Sequence, residues 1–409
     1  MTDVTDIFKL MKRPPLESEK EFITKAYEFA KKAHGKQERN SGEPYFIHVF
    51  AVGKILARFG MDVHTIAAGL LHDTLEDTDT SEETLEKEFG KDIVFLVKGV
   101  TKLGKLKYRG RERHVESLRK FFIAMAEDLR VLIIKLADRL HNVMTLEHVR
   151  EDKQKRIAVE TIEIHAPLAN RLGMGKLKGE LEDHSFPYAF PKEYKIVEDL
   201  LAKKTYADQK FMDDVHHEVE ETLKKQEIKF VSIDYRIKHK YSLYKKLLRY
   251  DMDIEKIHDI VALRVIVPTI EDCYRVLGII HGMWRPLPGK IKDYIALPKP
   301  NGYQSLHTTV FTSNGGIAEI QIKTPQMHEE AEYGVASHFI YKETMYSAGA
   351  NGNTPSKKFA WIGELKELQK FVAEPEKFLE HLRMDFFNDR IFIFTPNGDV
   401  VDLTANASP

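Results

Sequence analysis

From about residue 19 to residue 183, apolar side chains recur at three- and four-residue spacing, as in Phe22, Ala26, Phe29 and Ala30 and again in Leu129, Leu132, Ile133, Leu136 and Leu140. That period gathers them on one side of an α-helix, so the first half of the chain is expected to be an all-α unit. Its helices should break where glycine, proline or small polar residues interrupt the pattern: at 40–44, 59–62, 89–92 and in the charged loop 108–111. Around 186–191 two prolines, Pro187 and Pro191, should end the run, and 193–229 reads as two more helices rich in Glu and Lys.

The texture then changes. Segments 230–236, 260–267, 302–311 and 317–322 are short and β-branched, which predicts strands, with helices over 241–250 and 272–281 between them. The second half is therefore expected to be a mixed-sheet, α+β domain. Residues 347–358 (SAGANGNTPSKK) read as a polar linker and 359–384 as helical, while 390–395, Pro396-Asn397-Gly398-Asp399 and 400–403 read as a hairpin. A two-stranded hairpin alone is marginally stable, so the sequence is expected to stop inside a further domain.

Composition narrows the class. At 409 residues and 43% hydrophobic, the chain can bury two or three cores of about 150 residues each. Lys+Arg 62 against Asp+Glu 63 leaves a net charge of -1, too little to drive the whole chain onto nucleic acid or anionic lipid. The single cysteine, Cys273, excludes a disulfide framework and cysteine-rich zinc sites and suits a reducing compartment. No stretch approaches the roughly 20 apolar residues that span a bilayer. Residues 1–10 place Asp3 and Asp6 before any lysine and lack an apolar core, so neither a membrane span nor a signal peptide is expected and the location reads as cytoplasmic.

Two constellations carry candidate chemistry. In GLLHDTLED, Glu76 and Asp77 follow His72 and Asp73 at i+4, so all four are expected to share one helical face. An isolated His-Asp pair is usually a solvated helix end. Here a second histidine, His48, and an aspartate following an apolar run, Asp138 in VLIIKLADRLHN, argue otherwise. Two imidazoles and two carboxylates make a borderline-hard donor set for Mn²⁺ or a similar ion. The second constellation is RIKHKYSLYKKLLR (236–249), which has no acid and places Arg236, Lys238 and Lys240 in alternation and Ser242, Lys245, Lys246 and Arg249 at helical spacing. The interleaved Tyr241, Tyr244 and Tyr250 leave an RNA-binding stripe as an alternative. Asp259 before the strand IVALRVIV, and Glu319 on one face with Gln321 and Lys323 in IAEIQIKT, favour metal-assisted phosphoryl transfer. Loop 290–310 adds Lys292, Lys299, Asn301 and His307, with Tyr303 as a candidate stacking platform.

The H...HD...D arrangement resembles the HD phosphohydrolase superfamily. RNSGEPYFIH, HDTLEDT, GVTKLGK and KLADRLHNVMTL, with NGYQSLHTT, EIQIKT and AEYGVASH, together resemble the catalytic half of the long RelA/SpoT homologue (Rel) enzymes of the stringent response. The resemblance covers about residues 25–403. It implies an all-α HD-type hydrolase domain at 1–160, a helical connector at 161–200, a nucleotidyltransferase-like synthetase domain at 201–345, a linker with helices at 346–384 and the start of a TGS domain at 385–409. It implies a bifunctional enzyme that transfers pyrophosphate from ATP to the 3′-hydroxyl of GDP or GTP and hydrolyses (p)ppGpp at a separate site. By the same resemblance His48, His72, Asp73 and Asp138 hold Mn²⁺, Glu76 and Asp77 act on the attacking water, and Arg39, Asn142 and Thr145 contact the nucleotide. In the synthetase, Arg236, Lys238, Ser242, Lys246 and Arg264 would hold ATP and Asp259 and Glu319 would hold Mg²⁺, with Glu319 also activating the hydroxyl. Tyr303 would stack on the acceptor guanine beside Lys292, Lys299, Asn301 and His307. Ribosome and tRNA are implied partners only through a C-terminal region beyond this sequence; no membrane partner is implied. The alternatives are one working site with the other a nucleotide sensor, or a nucleic-acid-binding module built on the 236–249 cluster.

Overall fold

The computed structural model describes residues 2–104, 128–257, 259–313, 315–337, 390–394 and 400–404. Two compact units separate along the chain, one built on Met1–Val149 and the other on Arg150–Val335.

The first unit is helical, as the period predicts: α1 (Thr5–Leu10), α2 (Glu17–His34), α3 (Phe46–Arg58), α4 (Val63–Leu71), the single turn α5 (Thr74–Asp77), α6 (Glu82–Phe89), α7 (Lys91–Gly104) and α8 (Leu129–Met144). Helix α4 (VHTIAAGLL) is apolar nearly all round and is the central one, packed by α2, α3, α7 and α8. Asp62 starts it, its carboxylate accepting the Thr65 N–H at 2.9 Å. The α3–α4 crossing is close because Gly69 has no side chain; a Cβ there would lie 2.2 Å from Leu56 Cδ1. Asp128 caps α8 through the Arg130 N–H at 2.8 Å, and the Arg130 guanidinium ties that end to Asp92 of α7.

The second unit opens with α9 (Glu151–Glu160), a π-helical turn Thr161–His165, α10 (Ala166–Arg171), α11 (Gly175–Ala189) and α12 (Pro191–Lys225). There follow β1 (Ser232–Ile237), α13 (Lys240–Arg249), β2 (Val261–Ile266), α14 (Ile270–Met283), β3 (Arg285–Pro286), β4 (Lys292–Asp293), β5 (Leu306–Phe311), β6 (Ile317–Lys323) and α15 (Pro325–Tyr333). The sheet runs β1-β2-β6-β5-β3 with β4 beside β5; β2 and β6 are parallel and the other neighbours antiparallel. Alternation decides its two faces. Leu263, Val265, Ala318, Ile320, Ile322, Leu306 and Val310 join a core with Val197, Val215, Val219 and Leu223 of α12 and Val276 and Ile280 of α14. The register brings Arg236, Arg264, His307, Glu319, Gln321 and Lys323 to the opposite face.

Three expectations need correction. Residues 193–225 lie in one helix, Pro191–Lys225, not two; Val197 and Leu201 toward its start and Met212, Val215, Val219 and Leu223 toward its end pack into the same core. Pro187 does not end a helix but lies inside α11, close to its C-terminus, while Pro191 opens α12, where a missing N–H costs nothing. His72 and Asp73 are not on one continuous helix with Glu76 and Asp77: α4 stops at Leu71, and α5 restarts with the Asp73 carbonyl accepting from Glu76 and Asp77. The strands β7 (Arg390–Phe394) and β8 (Val400–Thr404) pair antiparallel as the hairpin reading requires. The turn 396–399, the loop 108–111, the linker 347–358, the helices 359–384 and the last residue of GVTKLGK lie outside the described residues.

Candidate active sites

In the helical unit, α3, the α4–α5 break and α8 aim His48, His72, Asp73 and Asp138 at one point. One donor atom from each of His48, His72 and Asp138 lies within 4.8 Å of the other two, and all three residues are buried. The hydrogen-bond pattern decides which ring nitrogens face inward. His72 Nδ1 donates to the Gly69 carbonyl at 2.8 Å, so Nε2 carries a lone pair; it is buried, makes no hydrogen bond and sits 3.0 Å from Asp73 Oδ2. Arg39 can only donate, so His141 Nδ1 accepts its Nη1 at 3.3 Å and also accepts from His48 Nδ1 at 2.9 Å. That leaves the His48 Nε2 lone pair pointing at Asp138 Oδ1, 3.3 Å away. Two lone pairs facing two carboxylates repel unless a cation lies between them, so this donor set fits a divalent metal.

The surrounding groups hold these donors in place. Asp138 accepts from Lys135 at 2.7 Å and from Asn142 at 2.6 Å; Asp73 accepts from the Tyr45 hydroxyl at 2.8 Å. Burial alone would raise the Asp138 carboxyl, but Lys135 and the two histidines hold it well below the usual carboxylate range. Burial works against the charged form of His72, yet Asp73 and Asp138 raise it to about 9, so without metal a proton fills that place and a metal must displace it. His141 goes the other way: burial, then His48 and Arg39, bring it down to about 3, so it stays neutral. Arg39 donates to Asn142 at 2.8 Å and to Thr145 at 3.1 Å, which gathers the three expected nucleotide contacts into one polar wall beside the histidine–aspartate cluster. Glu76 and Asp77 are exposed, and Asp77 shares the Tyr45 hydroxyl with Asp73, accepting at 3.0 Å.

In the second unit, the polar face of the sheet carries the other constellation. Lys238 and Lys246 clamp the two oxygens of Asp259, Lys246 at 2.7 Å. Burial opposes the Asp259 charge, but the lysines hold its pKa below normal. Glu319 accepts from Gln321 at 2.9 Å and lies 3.3 Å from His307; burial is again outweighed and the carboxyl stays ionised at neutral pH. Arg236 donates to Gln321 at 3.2 Å, and Arg264 pairs with Asp234 and Glu332. Tyr303 bonds His307 through its hydroxyl at 2.8 Å, with Lys299 5.5 Å from its ring. Asn301 shapes that loop, accepting the Tyr303 N–H at 3.2 Å and donating to the Asn170 carbonyl. Lys292 pairs across the sheet with His307.

The basic cluster does not form an open stripe. Lys240 turns to Glu198 at 2.9 Å, and Lys245 and Ser242 turn to the buried Glu182 at 2.8 and 3.2 Å. Internal neutralisation of this kind disfavours a nucleic-acid surface.

A model of the HD domain matches residues 26–175, and a model of the region found in RelA / SpoT proteins matches residues 235–346. The chain belongs to the RelA/SpoT family. It is 47% identical over 407 residues to guanosine-3′,5′-bis(diphosphate) 3′-pyrophosphohydrolase of Aquifex aeolicus, covering 99% of this chain and 57% of that protein. It is 45% identical over 393 residues to GTP pyrophosphokinase of Myxococcus xanthus, covering 95% and 51%, and 42% identical over 389 residues to bifunctional (p)ppGpp synthase/hydrolase SpoT of Escherichia coli, covering 95% and 55%. The chain spans about half the length of these curated relatives.

Within this RelA/SpoT chain, motif reading passed over Tyr45, Lys135 and His141 in the helical unit and Asp234 and Glu182 in the other. Two of them carried a signal: Lys135 and His141 stand three residues either side of Asp138, the spacing that shares its helix face. Tyr45, Asp234 and Glu182 reach their partners only through the fold.

Proposed function

We propose that the chain makes and destroys (p)ppGpp at two separate sites. The observation that carries this reading is that each unit holds its own acid and cation set: imidazoles and carboxylates poised for a metal in the helical unit, lysines and carboxylates on the polar sheet face in the other. The names carried by the relatives support it.

In the helical unit His48, His72, Asp73 and Asp138 would hold Mn²⁺, which when bound supplies Lewis acidity and a more acidic water. Arg39, stretched flat by Asn142 and Thr145, receives the guanine base. Glu76 and Asp77 take the proton of the water whose oxygen attacks the phosphorus of the 3′-pyrophosphate; the bond to the 3′-oxygen breaks and that oxygen takes up a proton, releasing pyrophosphate and GDP or GTP. In the sheet unit Asp259 and Glu319 would hold Mg²⁺, which supplies charge neutralisation. Arg236, Lys238, Ser242, Lys246 and Arg264 hold ATP; in the structure Asp259 and Glu182 engage three of these groups. Tyr303 stacks on the acceptor guanine with Lys292, Lys299, Asn301 and His307 around it. Glu319 takes the 3′-hydroxyl proton as that oxygen attacks the β-phosphorus of ATP and AMP leaves. The domain limits follow the same reading: hydrolase 1–160, connector 161–200, synthetase 201–345, linker 346–384 and the opening of a TGS domain at 385–409, with ribosome and tRNA as partners of a longer chain in the cytoplasm.

The test is direct. The chain is incubated with ATP, GDP and Mg²⁺, then with ppGpp and Mn²⁺, and the nucleotides are resolved. Formation of ppGpp and AMP in the first and of GDP and pyrophosphate in the second is expected; absence of either product overturns the two-site reading.

A further inference from the structure

Arg39 projects from a closed turn: its N–H donates to the Glu43 carbonyl at 2.8 Å, and its own carbonyl accepts the Gly42 N–H at 2.9 Å, with Gly42 at φ 80°. From there the guanidinium reaches the end of α8, where two hydrogen-bond chains begin. One runs from Nη1 to His141 Nδ1 at 3.3 Å, and that same nitrogen lies 2.9 Å from His48 Nδ1. The other runs from Nη2 to Asn142 Oδ1 at 2.8 Å, and the Asn142 amide nitrogen donates to Asp138 Oδ1 at 2.6 Å. Each chain therefore ends on a buried member of the histidine–aspartate cluster. Nη1 also donates to the Thr145 hydroxyl at 3.1 Å, and that hydroxyl donates to the His141 carbonyl at 3.1 Å, which seats the guanidinium against the helix end.

The middle link of either chain can run in two directions. A neutral imidazole carries its proton on one nitrogen or the other, and a carboxamide can turn to exchange its oxygen for its nitrogen. With its proton on Nδ1, His141 would donate to His48, whose own proton would then sit on Nε2 and point at Asp138 Oδ1, 3.3 Å away, where a cation has to lie. With its amide turned over, Asn142 would set an oxygen lone pair against the Asp138 carboxylate. An arginine has only N–H groups and no acceptor, so it forbids both reversals. We propose that Arg39 is a positioning residue that locks the direction of both chains, keeping the His48 Nε2 lone pair bare and Asp138 hydrogen-bonded, so that the cluster is set to receive a divalent cation. This rests on the hydrolase reading of the cluster. The role belongs to the folded helical unit and is separate from any contact with a base. Its sign also opposes simple electrostatics. A guanidinium near a dication repels it, so by charge alone removing Arg39 would tighten metal binding, whereas loss of the lock loosens it.

The experiment is a titration of Mn²⁺ into the metal-free full chain without nucleotide, the free ion being read by electron paramagnetic resonance and the site being counted as the binding that His72→Ala loses. Arg39→Met, which removes the charge and the donors together, should weaken that binding by about 10- to 100-fold, the scale of losing a group that orients a ligand. Binding as tight as in the unaltered chain, or tighter, overturns the inference alone. Arg39→Gln, neutral and able to accept as well as donate, should weaken it too and serves if the methionine variant does not fold. The lock itself is read from the ¹⁵N spectrum of the metal-free chain with labelled histidine: His48 should carry its proton on Nδ1 in the unaltered chain and populate the Nε2 form in the variant. An unchanged His48 tautomer in the variant overturns the inference as well. Failure of the unaltered chain to hold Mn²⁺ overturns the hydrolase reading and the inference with it.

Discussion

At the scale of single residues, the two sites differ in how their charges are balanced, and that difference sets what a substitution does. The lone pairs of His48 and His72 face carboxylates and need a cation, so removing one donor should remove the cation itself. His72→Ala is expected to abolish metal retention, read by elemental analysis after gel filtration, and with it hydrolysis, while pyrophosphate transfer continues from the other unit. Retained metal with near-normal hydrolysis would sink the ligand assignment. Glu76 is exposed and outside the proposed donor set, so Glu76→Gln should keep the metal and slow the chemical step. Glu319→Gln keeps nearly the same shape but loses the charge that His307 faces at 3.3 Å. Synthesis should fall by at least about a hundredfold, the scale of general-base loss, with hydrolysis unchanged; a smaller loss would move the base elsewhere.

At the scale of elements, the polar face of the sheet depends on how tightly α11 packs against the segment joining β1 to α13. Gly179 lies on α11, and a Cβ built there would meet the His239 ring at 2.2 Å. His239 bonds Asp183 at 2.8 Å, and the other oxygen of Asp183 accepts the Tyr241 N–H at the start of α13. A single methyl at this position must therefore push out the histidine, loosen the cap of α13 and shift Ser242 and Lys246 together. Gly179→Ala is expected to cost about 1–3 kcal/mol in chemical denaturation, an overpacking cost, and to raise the KM for ATP more than that for the guanine nucleotide. An unchanged denaturation midpoint would show that the helix accommodates the methyl by sliding.

At the scale of the whole molecule, each unit buries its own core and holds its own chemistry. A ligand that binds only one folded unit stabilises that unit by mass action, by about 2.7 kcal/mol at a hundredfold excess over Kd. Manganese added to the metal-free chain should therefore slow amide exchange in Phe46–Arg58 and Leu129–Met144, the helices that carry His48 and Asp138, and leave β1, β2 and β6 unchanged. Equal protection across both units would place the metal elsewhere or make the units one cooperative structure. Among the described residues no helix is long and apolar enough to cross a membrane.

The residue order by itself determined the class of both units, because three-to-four spacing and alternation follow from backbone geometry alone. It also marked His48, His72, Asp73, Asp138, Asp259 and Glu319, since acids and histidines set into apolar runs are costly unless used. Local pattern failed where long-range packing decides: at the helix break that turns His72 and Asp73 inward, at the unbroken Pro191–Lys225 helix, and at Pro187 inside α11. Which nitrogen of His48 faces Asp138 could not be read from any motif, because it is set by a chain of donors running from Arg39 through His141, 102 residues apart. The pairing of Lys245 with Glu182 is likewise a tertiary fact. Charge balance depends on which side chains converge in space, and only the folded chain decides that.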